Sequence, residues 1–124
     1  MSHIRLDDAR TTETPAATMR TYASPTTPVR AVIAVWRTQM AGGASGPLHT
    51  VDTDQVVVVV EGRLSAEIDG HSCLVPAGDS VVLPAGVQRR LTAGEDGLVT
   101  LTASMPAATA RVGDGDAVPV PWTR

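Results

Sequence analysis

The 124-residue sequence contains no phenylalanine, no lysine and a single cysteine, and only three of its residues are aromatic. With so few aromatic side chains, the core must be built from valine, leucine, isoleucine, alanine and methionine. Valine is abundant among these, and its branched side chain favours strands. Cys73 has no second cysteine with which to form an intrachain disulfide, so nothing in the sequence indicates an oxidising compartment.

Positive charge and long apolar runs are also scarce. The formal net charge is -3, which does not favour a nucleic-acid partner, because such partners usually require a basic face. No segment approaches the ~18 apolar residues of a membrane span. Residues 1–8 are polar and acidic, unlike a signal peptide. We therefore expect a cytoplasmic protein that binds neither nucleic acid nor membrane.

What the sequence does contain is a series of short apolar segments separated by turn residues such as Asp69-Gly70. These segments recur roughly every eight to twelve residues, and no amphipathic helical pattern interrupts them. Such spacing is typical of an all-β sandwich or barrel, and the length is that of one domain. The predicted strands include residues 29–40, 48–51, 55–61, 63–69, 71–75, 80–83, 87–93 and 97–104.

The segment 55–61 differs from the other predicted strands because it carries five consecutive valines. A strand with one solvent-exposed face would alternate apolar and polar residues, so this strand must be covered on both faces. One face fits the interior of the protein. For the other face we predict a second copy of the chain, which makes a homodimer.

Two groups of residues between positions 46 and 93 have a characteristic order and spacing. They are His49, Val51, Gln55 and Gly62 in the first group, and Gly78, Pro84, Gly86 and Arg89 in the second. This spacing resembles the two motifs of the cupin family, which run Gly-His-His-Glu-Gly and Gly-Pro-Gly-His-Asn. The resemblance implies a cupin-like jelly-roll β-barrel at residues 29–112. An N-terminal arm with a candidate edge strand (1–28) and a C-terminal tail (113–124) would flank it.

The resemblance also implies a pocket inside the barrel, where cupins typically hold one divalent metal through three histidines and one glutamate. In this sequence only His49 is an unchanged ligand. Val51 stands at the position of the second histidine, and Gln55 at that of the glutamate. Arg89 replaces the last histidine, and its permanent positive charge repels a metal ion. We therefore expect no tightly bound metal or other cofactor.

Arg89 is the most informative of these positions. On its strand it shares a face with Val87 and Leu91, so a charge stands on an apolar face. Because a buried guanidinium is costly unless it is paired, two hypotheses follow. One is an internal salt bridge, for example with Glu61 or Glu67, which would replace the metal as a structural plug. The other is binding to the carboxylate or phosphate of a small ligand.

Three functions are open on this evidence. The one we favour is binding of a small anionic molecule in the barrel. The second is a small cupin enzyme of the isomerase, cyclase or dioxygenase type, in which His49 acts as acid or base near neutral pH. The third is a structural barrel without a ligand, in which Arg89 is an internal salt-bridge plug and His49 and Trp36 have plain core roles. The candidate ligand-binding residues are His49, Gln55, Arg89, Trp36, Met40 and Val51.

Overall fold

The computed structural model describes residues 2–124. As the sequence predicted, the fold is built from β-strands, and it also contains two short 3-10 turns. The turns are Leu6–Asp8 and Pro121–Thr123. Within residues 2–124, no helix is long and apolar enough to span a membrane. The strands are β1 (Arg10–Glu13), β2 (Thr18–Ala23), β3 (Ala34–Met40), β4 (Thr50–Val51), β5 (Gln55–Ile68), β6 (His71–Pro76), β7 (Ser80–Leu83), β8 (Arg89–Ser104), β9 (Thr109–Arg111) and β10 (Val118–Pro119).

Two antiparallel sheets contain these strands. The larger sheet has the order β1-β2-β3-β8-β5-β6, and β7 pairs with the first residues of β5. The smaller sheet has the order β10-β9-β4. Strands β5 and β8 form the centre of the larger sheet and pair along their lengths, from Gln55 opposite Ser104 to Ile68 opposite Arg89. This pairing places the beginning of β8 at the end of β5.

The long strand β5 joins two strands that the sequence predicted separately. Gly62 was expected to end the first of them, but it instead accommodates an irregularity in the pairing with β8. Its φ of 80° is unfavourable for other residues, and a Cβ atom there would collide with the carbonyl group of Gly97. Gly97 likewise lies inside β8 and does not begin a separate strand.

Strand β3 is shorter than the predicted strand at residues 29–40. The preceding residues form a compact loop, because the carbonyl of Ser24 accepts hydrogen bonds from the N–H groups of Thr27 and Ala31. Val32 and Ile33 are consequently exposed. The thiol of Cys73, for which burial or partial burial is the usual state, is also exposed.

The valines of β5 alternate between two environments. Val57 and Val59 are each 1% exposed and belong to the main apolar core, together with Met40, Leu64 and Leu83. The alternate valines face outward with a neighbour from β7 and one from β8, and each of these side chains is between 37% and 55% exposed. We call this group the outer valine face; it consists of Val56, Val58, Val60, Val82 and Leu101.

The C-terminal segment folds back on the sheets, and we call residues 107–124 the C-terminal clasp. It contributes β9 and β10 to the smaller sheet, and Trp122 packs against two apolar clusters, one around Trp36 and one around Val51. These two clusters are the docking site of Trp122, which the sequence did not specify. The predicted division into an arm (1–28), a barrel (29–112) and a tail (113–124) stays a prediction. Strands β1 and β2, which lie in the predicted arm, extend the larger sheet.

Candidate functional site

The first residue of β8, Arg89, lies directly opposite His49, which precedes β4. The His49 N–H donates to the Arg89 carbonyl at 2.9 Å, and the Arg89 N–H donates to the His49 carbonyl at 2.8 Å. Residues that are directly opposite in an antiparallel pair project their side chains to the same face. The guanidinium and the imidazole therefore share one side of the backbone, as their places in the two motifs predicted.

The side chain of Arg89 is 1% exposed, whereas its neighbour Arg90 is partly exposed at the surface. The Arg89 Nη2 group donates a hydrogen bond of 2.8 Å to the carbonyl of Pro84. Nε and Nη1 are buried, and they have no hydrogen-bond partner among the protein atoms of residues 2–124. A guanidinium has five N–H donors, so most of this buried cation's hydrogen-bonding capacity is unused within the protein.

The salt bridges proposed for Arg89 are not formed. Glu67 pairs with Arg90 at 3.8 Å, and Glu61 is exposed at the surface. This is the expected outcome for β5, because Glu67 lies opposite Arg90 in the pairing with β8 and therefore on the other face from Arg89. The hypothesis of an internal plug made by Arg89 with Glu61 or Glu67 is wrong.

Asp54 partly compensates the charge of Arg89 from a distance. Burial lowers the pKa of Arg89, and the nearby Asp54 carboxylate raises it. The ordinary pKa of arginine is far above neutrality, so the side chain remains a cation. The Asp54 carboxylate is itself engaged, because its Oδ1 accepts a 2.8 Å hydrogen bond from the Ala85 N–H. Asp54 thus fixes the loop whose Pro84 carbonyl holds Arg89.

His49 is half-buried, and its protonation follows from its contacts. Nδ1 lies 2.8 Å from the Pro47 carbonyl oxygen, which can only accept a hydrogen bond. The proton of the neutral ring is therefore on Nδ1, and Nε2 carries a lone pair. Burial lowers the pKa of His49, the hydrogen bond to Pro47 opposes this, and the positive charge of Arg89 lowers it further. The imidazole is thus an acceptor near neutral pH.

The remaining predicted residues are placed around this pair in different ways. Gln55 is 8% exposed at the start of β5, opposite Leu83, which immediately precedes the Pro84 that binds Arg89. Val51 packs with Ala108 and Val120, and its carbonyl accepts the Gly86 N–H at 2.8 Å. Met40 lies in the main core, and Trp36 lies in a third cluster with Met19 and Ala34. Trp36, Met40 and Val51 therefore belong to three separate clusters.

Two aspartates next to this region were not among the candidate residues, and their function in the fold was missed. Asp54 anchors Ala85, as described above, and Asp52 accepts hydrogen bonds from the N–H and the hydroxyl of Thr109 in the C-terminal clasp, at 2.8 and 3.0 Å. The available signal was that aspartates in turns commonly bind backbone N–H groups. Turn chemistry predicts a local partner, however, and both partners here are more than thirty residues away.

Of two surface clefts formed by residues 2–124, one adjoins this region, and Arg89 lines neither. One, of about 120 Å³, is formed by residues that include Met40, Glu61 and Gly97. The other, of about 160 Å³, is formed by Val51, Gly86 and residues of β9. The guanidinium is thus enclosed, and the half-buried imidazole is the member of the pair that reaches toward the surface.

A family model for the cupin domain matches residues 36–105, which include both motifs. The chain belongs to the cupin family. Cupins often bind metal, so the donor set of this cupin must be compared with that chemistry. Residues 2–124 contain no group of three or more His, Cys, Asp or Glu side chains placed to hold a metal ion. The ligand positions supply one imidazole, one amide, an apolar side chain and a buried cation, and this set does not fit a divalent metal.

Solved structures share the jelly-roll fold of this cupin. An RmlC-like cupin from Shewanella frigidimarina has a TM-score of 0.68 at 20% identity, over 82% of this chain and 86% of that one. A sugar phosphate isomerase of the cupin superfamily from Silicibacter pomeroyi has a TM-score of 0.71 at 20% identity, over 92% and 83%. Salicylate 1,2-dioxygenase from Pseudoaminobacter salicylatoxidans has a TM-score of 0.72 at 20% identity, over 86% and 31%.

These neighbours have different activities, and at such low identity the likeness shows the fold alone. A comparison with curated proteins finds no match. The function of this cupin must therefore be argued from its own residues.

Proposed function

We propose that this protein binds a small anionic molecule inside the barrel through Arg89, with His49 and Gln55 as further polar contacts. The observation that carries the proposal is the state of the Arg89 side chain, which is 1% exposed with Nε and Nη1 unpartnered among residues 2–124. Buried polar groups in folded proteins are nearly always hydrogen-bonded, and a buried charge without a close counterion is costly. An anion bound at Nε and Nη1 supplies both the acceptors and the opposite charge.

We also propose that this site works without a tightly bound metal. Support comes from Arg89, whose guanidinium occupies the position of a metal-binding histidine and carries a charge of the same sign as a metal ion. Elemental analysis of protein purified without a polyhistidine tag tests this part. Near one equivalent of iron, manganese, nickel or zinc would contradict it.

Anion binding is tested by thermal-shift and calorimetric titration with a panel of small carboxylates and inorganic phosphate. We expect at least one of these anions to stabilise the protein, and Arg89→Gln to lose that response because the amide has no charge. Arg90→Gln is the matched control, since it removes the adjacent arginine on the solvent side and should leave binding unchanged. If no anion binds, or if both variants lose binding equally, the proposal fails.

A specific observation also supports a second function, that of a metal-free acid–base enzyme. The Nε2 atom of His49 carries a lone pair, because Nδ1–H is engaged by Pro47, and the lowered pKa keeps the ring neutral near pH 7. A neutral imidazole beside a bound anion is suited to remove a proton from it. His49→Gln should then abolish turnover of a bound ligand while leaving most of its affinity. Unchanged turnover would exclude His49 as the base.

We propose a homodimer formed through the outer valine face. The face is continuous over three neighbouring strands, β7, β5 and β8, and an exposed apolar surface of this kind favours association. A face made of four valines and one leucine can pack against a second copy of itself, as a two-fold interface requires. Val58→Lys should shift sedimentation from dimer to monomer, and Val32→Lys, at an exposed site outside the face, should not. A wild-type monomer at high dilution would contradict this proposal. The cytoplasmic location stays a prediction.

A further inference from the structure

The hydrogen-bonding groups of the site specify more than an anion. Arg89 offers donors alone: Nη2 donates to Pro84, and the three N–H groups on Nε and Nη1 have no acceptor among residues 2–124. His49 offers the opposite, because its Nδ1–H is bound to Pro47 and Nε2 has a lone pair to fill. A ligand that satisfies both side chains must therefore bring acceptor atoms to the guanidinium and a donor to the imidazole.

The two contacts must also lie close together on the ligand. His49 and Arg89 are direct cross-strand partners, and the Cβ atoms of such pairs are about 4.5–5.5 Å apart. Arg89 is enclosed and His49 is half-buried, so the anionic group lies deeper than the donor. A hydroxyl on the carbon next to a carboxylate has this arrangement.

A carboxylate and a phosphate differ in the negative charge that this site would have to balance. Arg89 is a single cation, and Asp54 is close enough to act on it electrostatically. Because Asp54 already offsets part of the positive charge of Arg89, the site can balance about one further negative charge or less. A phosphate dianion would bring a second negative charge toward Asp54, whereas a carboxylate brings one and matches the planar guanidinium edge.

We infer that the ligand is a small 2-hydroxycarboxylate, with its carboxylate on Arg89 Nε and Nη1 and its hydroxyl donating to His49 Nε2. This inference rests on the proposed anion-binding function and narrows it to one chemical class. It assigns the specificity for the hydroxyl to His49 and the affinity for the anion to Arg89.

Matched ligands test the inference without a variant. D-lactate, L-lactate, propionate and inorganic phosphate are titrated into the wild-type protein, with NMR chemical shifts and thermal stability as readouts. We expect one lactate enantiomer to bind roughly five- to tenfold more tightly than propionate, which is the effect of one hydrogen bond. Phosphate should bind more weakly than lactate.

Two variants locate the effect. His49→Phe keeps a flat ring but cannot accept a hydrogen bond, so the lactate-to-propionate ratio should fall to about one while propionate still binds. Arg89→Gln should lose both carboxylates, and Arg90→Gln should resemble the wild type. The chemical shifts of residues 49–55 and 84–89 should move on titration in the wild-type protein.

The outcomes separate this inference from the proposed function. If lactate and propionate bind equally to the wild type, the hydroxyl assignment is overturned and anion binding stands. If phosphate binds more tightly than either, the carboxylate class is overturned. If none of the four binds, both the inference and the anion-binding function are overturned, and buried water is left as the partner of Arg89.

Discussion

Two regions of this cupin bury polar side chains, and the hydrogen bonding of those side chains differs between the regions. In the C-terminal clasp and the strand and loop beside it, three buried hydroxyls are hydrogen-bonded within the protein: Thr21 to the Trp122 carbonyl, Thr27 to Ser24, and Thr123 to Val120. At the His49–Arg89 site, a fully buried guanidinium has two nitrogen atoms without a protein partner among residues 2–124. These three hydroxyls have protein partners, whereas two nitrogen atoms of the buried guanidinium have none.

The difference distinguishes polar groups that hold the fold together from polar groups that the fold holds for another purpose. Pairing in the clasp lowers the free energy of the native state, because each buried donor meets an acceptor. An unpaired buried cation raises that free energy unless something else binds it. If the comparison is correct, polar-to-apolar substitutions should have opposite effects on stability in the two regions.

The largest effect is expected in the clasp, from Thr123→Val. The Thr123 hydroxyl is fully buried, accepts the Ala108 N–H at 3.0 Å and donates to the Val120 carbonyl at 2.8 Å. Valine has the same shape but leaves the Ala108 N–H without its acceptor, so the free energy of unfolding should fall by about 1–3 kcal/mol. Urea denaturation measures this. Thr18→Val, at a half-buried strand position, is the control, and an equal loss there would remove the special status of the clasp.

At the site, Arg89→Met should have the opposite sign. Methionine fills a similar volume without a charge, so relief of the buried cation outweighs the lost bond to Pro84, and the free energy of unfolding should rise by about 1 kcal/mol. The same denaturation experiment, without added anion, provides the measurement. A destabilisation as large as that of Thr123→Val would instead identify Arg89 as a structural residue, and the comparison between the regions would break.

A second arginine sharpens the comparison, because Arg10 belongs to the clasp contacts. Its Nη1 donates to the Thr26 hydroxyl at 2.8 Å and its Nη2 donates to the Arg124 carbonyl at 2.8 Å, while its Nε is buried without a partner among residues 2–124. Since these bonds are partly exposed, Arg10→Met should lower the free energy of unfolding by only about 0.5–1 kcal/mol. The substitution is identical to that at Arg89, and the Nε of each arginine is unpartnered, so opposite signs would attribute the difference to the pairing of Nη1, which Arg10 has and Arg89 lacks. If both variants changed the free energy of unfolding in the same direction, pairing would not determine the effect of the substitution.

The sequence predicted the all-β cupin fold and the inward position of Arg89 because both depend on local patterns. Glycines and prolines at fixed spacing determine the turns, and strand alternation places Arg89 on the apolar face and Arg90 on the other. The hydrogen-bond partners could not be predicted in this way. Asp54 binds Ala85 and Asp52 binds Thr109 across more than thirty residues, and no spacing rule specifies such pairs. Gly62 was misjudged because a bulge and a strand end share the same residue preference.

The smallest expected effect concerns His49, whose substitution should change how steeply the free energy of unfolding depends on pH. Burial and Arg89 lower its pKa from the ordinary value of 6.5, so below that pH the unfolded chain takes up the proton before the folded protein does. The contribution of neutral His49 to stability is therefore full above about pH 6.5 and declines as the pH falls toward its folded pKa. His49→Gln should reduce the dependence of the free energy of unfolding on pH in that window, while the carboxylates contribute equally to both proteins. A steeper dependence in the variant would mean that the folded site stabilises the imidazolium, which would contradict the role of His49 as a neutral acceptor.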